Sequence, residues 1–85
     1  MPTLNASDGT IIYYEDFGEG SPIVFVHGGA ATHSLWEHQV YELADHFRAI
    51  TYDHRGCGSS GKPRNGYTTN RLADDLYDLI STLNL

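Results

Sequence analysis

One cysteine, one methionine, one tryptophan and three prolines stand among 85 residues. The lone Cys57 has no internal disulfide partner and offers nothing against a reducing compartment. Basic side chains are also scarce: five against eleven acidic ones give a net charge of −6. Arg48, Arg55, Lys62, Arg64 and Arg71 form no run that would neutralise consecutive phosphates, which argues against nucleic acid as a partner. Long apolar stretches are missing too. The longest, Ile23 to Val26, is far short of a bilayer span, and Met1-Pro2-Thr3 has neither the basic nor the apolar region of a signal peptide. These absences predict a cytoplasmic protein.

What remains is the composition of a folded domain, with 40% hydrophobic, 12% aromatic and 19% charged residues. The length allows one domain at most, burying roughly 60–65% of the surface its unfolded chain exposes. Asp8-Gly9 predicts a hairpin between strands over Thr3 to Ser7 and Thr10 to Phe17. Ile23-Val24-Phe25-Val26 is continuously apolar, as in a strand buried on both faces of a parallel sheet. Ser34 and Glu37 form a capping box, and Trp36, Val40, Leu43 and Phe47 then fall on one helical face to about residue 47. Arg48 to Asp53 is another β-rich run, and Gly56, Gly58, Gly61, Pro63 and Gly66 make the next stretch a long loop. Thr68 or Thr69 caps a last helix striped by Leu72, Leu76, Leu79, Ile80 and Leu83, with Asp74, Asp75 and Asp78 expected in solvent. Strands alternating with helices predict an α/β sheet with helical crossovers.

Residues 56–62, GCGSSGK, match both the G-x-G-x-x-G and the G-x-x-x-x-G-K nucleotide patterns. Both matches fail on context. Pro63 stands where a magnesium-binding hydroxyl is needed, and the helix that should aim its N-terminus at phosphate starts several residues later. Neither a metal nor any other cofactor is expected: His33 and His38 are not on one helical face, and no C-x-x-C or H-x-x-x-H pair occurs. Cys57 reads as a small residue in a glycine-rich turn rather than a nucleophile. His27-Gly28-Gly29-Ala30 follows a buried strand, and a flexible segment there places backbone N–H groups at the carboxyl edge of the sheet, where open α/β sheets bind ligands. From local chemistry alone that segment is an oxyanion site or merely a turn. His27 reads as a hydrogen-bonding partner of the loop rather than a base, since no hydroxyl nucleophile is adjacent.

Four segments in order decide between these readings: IIYYEDFG (11–18), PIVFVHGG (22–29), SLWEHQ (34–39) and DHRGCGSS (53–60), with Tyr67 to Leu85 following. Together they resemble the start of α/β-hydrolases, most closely the cofactor-free haloperoxidase and arylesterase branch, with lactonases, dehalogenases and epoxide hydrolases close behind. The resemblance implies a partial hydrolase sheet: the N-terminal strands 1–4 in the order 1-2-4-3, a first antiparallel hairpin and two helices, all one part of a single domain. It implies that Gly29 gives one oxyanion-hole N–H, that Gly28 and Ala30 lie beside substrate, and that His27, Asp53, Arg55, Gly56, Gly58 and Ser60 are structural. The nucleophile elbow G-x-S-x-G, the acid and the histidine of the family all come later than Leu85. Ser59 and Ser60 sit in a turn and do not replace them. The expectation is therefore an ester or acyl hydrolase piece that is inactive alone, or alternatively a non-enzymatic module that self-associates or pairs with another chain. In either case the partner would dock on the 23–26 strand edge, whether it is a second copy or the missing C-terminal half. In the complete enzyme the remaining partner would be a small ester-like substrate.

Overall fold

The computed structural model describes residues 2–28 and 31–85. Its elements are β1 (Thr3–Asn5), β2 (Ile11–Phe17), β3 (Ser21–Phe25), a 3₁₀ turn (His33–Trp36) running into α1 (Glu37–Leu43), β4 (Phe47–Tyr52) and α2 (Thr69–Thr82). The sheet has the order β1-β2-β4-β3, as the family resemblance implies. Strands β1 and β2 pair antiparallel, β2 pairs antiparallel with β4, and β3 runs parallel to β4 with Phe25 opposite Thr51. A parallel pair needs a crossover, and the 3₁₀ turn with α1 supplies it.

Period-two alternation sends β-strand side chains to opposite faces. Ile12, Ile50 and Tyr52 face α2 and, with Leu4, Ala6 and Leu79, form the core, against which Tyr14, Val24 and Leu76 also pack. Ile12, Ile50 and Leu79 are wholly buried. The opposite face carries α1, none of whose residues is buried. Ile23 to Phe25 is only half-buried rather than enclosed on both faces, because β3 is the outermost strand of the sheet.

Several elements differ in extent from the sequence expectation. The hairpin connection spans residues 6–10 rather than two residues, closed by Ala6 N–H to Thr10 O and Gly9 N–H to Ala6 O, both at 2.8 Å. Within it the Asp8 carboxylate accepts the loop's own Thr10 N–H and also Arg55. Thr32, not Ser34, caps the first helical turn. The His33 amide is held by Asp53, and the turn starts two residues earlier. The helix stops at Leu43, and Phe47 opens β4 because parallel pairing with Ser21 begins there.

Helix α2 is capped by the Thr68 hydroxyl, which accepts the Arg71 N–H. It ends on Asn84 at φ 60°, with Leu85 N–H to Ile80 O and Asn84 N–H to Ser81 O closing the left-handed stop that asparagine tolerates. Asp75 is not in solvent. It is fully buried on α2, where Arg55 reaches it from the loop.

Candidate functional site

Parallel pairing of β3 with β4 brings two chain segments out side by side at the carboxyl end of the sheet: Val26-His27-Gly28 and Asp53-His54-Arg55. His54 is half-buried, but the other polar side chains of both segments are buried. His27, Asp53, Arg55 and Ser60 are all at most 3% exposed, so each must be hydrogen-bonded to be tolerated.

Asp53 accepts three hydrogen bonds. Oδ1 takes the His33 N–H at 2.6 Å and His33 Nδ1 at 2.9 Å, and Oδ2 takes the Ser59 N–H at 2.9 Å. Burial opposes its charge, but the bonds from His33 and Ser59 prevail and hold the carboxyl below the usual carboxylate range. A left-handed Gly58, at φ 49°, lets the turn pass over this carboxylate, and a side chain there would strike it. Gly56, at φ 80°, lies under the Tyr67 ring, 2.7 Å from where a Cβ would stand.

Arg55 closes the other side of the turn. Nε and Nη2 form a fork on the Asp75 carboxylate at 2.7 and 2.8 Å, and Nη1 reaches Asp8 at 2.8 Å. Asp75 first, then Asp8, raises the guanidinium pKa further above its ordinary value. Arg71 adds a second cation to Asp75 at 2.9 Å. Tyr52, buried nearby, has its phenol pushed up to about 12 by burial and by Asp75.

Ser60 donates its hydroxyl proton to Asp53 O at 2.6 Å and accepts the Tyr13 N–H at 2.9 Å, which ties the turn to β2. It has no proton to give a base. Ser59 is exposed, and its backbone N–H is taken by Asp53. Cys57 is half-buried in the turn.

On the β3 side the His27 ring accepts the His54 backbone N–H on Nε2 at 3.0 Å, and its Nδ1 lies 2.6 Å from Gly28 O. Gly28 is exposed, with open space where a side chain would project. Gly29 and Ala30, the other two residues that sequence reasoning assigns to the oxyanion segment, lie outside the described residues. His33, Asp53 and His54 were not singled out together from sequence. The available signal was register: pairing Phe25 with Thr51 sets residue 27 beside residues 53 and 54.

A family model described as the alpha/beta hydrolase fold matches residues 21–85. The chain belongs to the alpha/beta hydrolase family. A non-heme chloroperoxidase of Kitasatospora aureofaciens is 40% identical over 86 residues, covering all of this chain and 31% of that protein. The solved esterase of Exiguobacterium antarcticum superposes with a TM-score of 0.95 at 39% identity, over 98% of this chain and 31% of that one. A bromoperoxidase of Bacillus anthracis gives 0.90 at 39%, over 99% and 32%. The hydrolase chain thus spans about a third of the length of these relatives, and its resemblance to the haloperoxidase and esterase branch is borne out. Among its described residues no helix is long and apolar enough to cross a membrane, and no cluster of three metal-binding side chains occurs.

Proposed function

We propose that this chain supplies the oxyanion side of a serine-type hydrolase that cleaves ester or related acyl bonds. In this reading the backbone N–H of Gly29 is one donor to the developing oxyanion, and Gly28 and Ala30 form the wall beside the substrate. The observation that carries it is the position of His27 and Gly28 at the carboxyl end of β3, with the Gly28 carbonyl drawn onto the His27 ring. A donor held in advance costs no reorganisation as charge develops. Likeness to a solved esterase over nearly the whole chain supports the acyl class.

The nucleophile, base and acid of this reading lie outside the 85 residues, so the chain by itself should not turn over esters. The uncovered edge of β3 is where a further strand would add, from the remainder of a longer protein or from a second copy.

The test is a chimera in which residues 1–85 replace the corresponding first third of the Exiguobacterium antarcticum esterase. It should hydrolyse p-nitrophenyl acetate, whereas the 85-residue chain alone should not. In the chimera Gly29→Pro, which removes the N–H, should lower kcat by about 10²–10³ with KM little changed. Gly29→Ala, which keeps the N–H, should retain most activity. Undiminished kcat in Gly29→Pro would sink the oxyanion assignment, and a burst labelling Ser59 or Ser60 in the chain alone would sink the predicted inactivity.

A further inference from the structure

His54 and His27 form a closed reciprocal pair. His54 gives its backbone N–H to His27 Nε2 at 3.0 Å, which leaves the His27 proton on Nδ1, where the Gly28 carbonyl accepts it at 2.6 Å. In the other direction His54 Nε2 lies 3.0 Å from the His27 carbonyl, a pure acceptor, so His54 carries its proton on Nε2. Its Nδ1 is then bare, buried with no partner among the described residues. The two rings meet edge to face with centroids 4.5 Å apart, and Tyr52 closes on the His54 ring at 5.3 Å. Burial first, and the neighbouring His27 second, lower the basicity of His54, which suits a neutral ring. The preceding residue, Asp53, takes the His33 amide. Consecutive residues of one strand end thus grip the chain at 27 and again at 33.

We propose that His54 is a positioning residue for the oxyanion segment: its neutral imidazole clasps the His27 carbonyl and, through the His27 ring, fixes the Gly28 carbonyl, while Asp53 fixes the return at His33. The proposal rests on the oxyanion reading above. Its physical motive is that consecutive glycines have the most backbone freedom to lose, and a donor that wanders is not preorganised. Two carbonyls held by imidazoles restrict the backbone at His27 and Gly28, from which the oxyanion segment leads on.

The test is nitrogen NMR of the histidine side chains in the 85-residue chain, read together with backbone amide order parameters at Gly28, Ala31 and Thr32. Near neutral pH, His27 should show the Nδ1–H tautomer and His54 the Nε2–H tautomer. His54→Gln, whose amide nitrogen reaches the place of Nε2, should keep both the His27 signature and a rigid Gly28, with an order parameter of about 0.85. His54→Phe keeps the ring contact with Tyr52 but not the donor. It should drop the Gly28 order parameter below about 0.6 and leave β4 and α2 amides unchanged. The opposite tautomer at either ring of the unmodified chain, or an unchanged Gly28 order parameter in His54→Phe, would overturn the clasp. Intact tautomers alongside a chimera indifferent to Gly29→Pro would overturn only the oxyanion reading.

Discussion

The two faces of the sheet are finished to different degrees. On the α2 face Ile12, Ile50 and Leu79 are wholly buried, and the charges that enter the interior close on one another, Arg55 between Asp75 and Asp8. On the α1 face no helical residue is buried, Tyr41 is 82% exposed, and a cavity of about 600 Å³ lies between Glu15, Phe17 and Thr51 of the sheet and Val40 and Tyr41 of the helix. One face is completed by side chains the chain itself provides. The other holds its shape largely through backbone pairing and the polar grip of Asp53 on His33. Stability should therefore be concentrated on the α2 face.

The largest effect should come from the charge at the centre of the closed face. Arg55→Met leaves Asp75 buried without the fork that balances it, which costs about 3–5 kcal/mol, a large part of what a domain of this size has. In urea the cooperative transition should move sharply down or vanish, and adding Asp75→Leu should restore much of it. A single variant that unfolds like the unmodified chain would break the contrast between the faces.

An intermediate effect is expected at Asp53, in the turn that serves both faces. Its folded pKa lies below the unfolded value of about 3.9, so its contribution is whole above about pH 4 and is lost as pH falls through the folded value. Asp8, whose hydrogen bond from Arg55 lowers its pKa, acts in the same direction. Asp53→Asn should cost about 1–3 kcal/mol near neutral pH, by turning an amide toward the Ser59 N–H, and should make the acid limb of the stability curve shallower. An acid limb of unchanged steepness would show that other carboxylates govern it.

The smallest effects should lie on the open face. Tyr41→Ala and Val26→Lys should each change unfolding stability by no more than about 0.5 kcal/mol. Val26→Lys, placed just past the uncovered β3 edge, should nevertheless reduce any self-association measured by sedimentation at micromolar concentration. A cost comparable to that of Arg55→Met at either position would erase the distinction.

Much of the architecture was legible in the sequence, and the places where it was not share a cause. The strand runs, the Thr68 cap and the leucine stripe of α2 are local patterns, and local patterns name elements well. Asp75 looked like its solvent neighbours Asp74 and Asp78 because helical spacing does not see Arg55, twenty residues back. Phe47 continued the helical period but was taken by the parallel ladder. His54 gave no local sign at all, since its significance lies in two bonds to a residue 27 positions away. Family resemblance carried the strand order and the HG segment, which propensity alone would have left open.

Trp36 sits on the α1 face, tilted against Phe25 with centroids 5.3 Å apart, its indole Nε1 buried with no partner among the described residues, and it is the only tryptophan. Excited at the red edge of tryptophan absorption, where its six tyrosines barely absorb, the protein's fluorescence is therefore a one-sided instrument. Emission will follow whatever covers or uncovers β3 and the turn before α1, and will be nearly blind to events at the leucine stripe of α2. An optical melt of this chain reports on its less finished half, and comparison with the far-ultraviolet signal of α2 separates the two without any label.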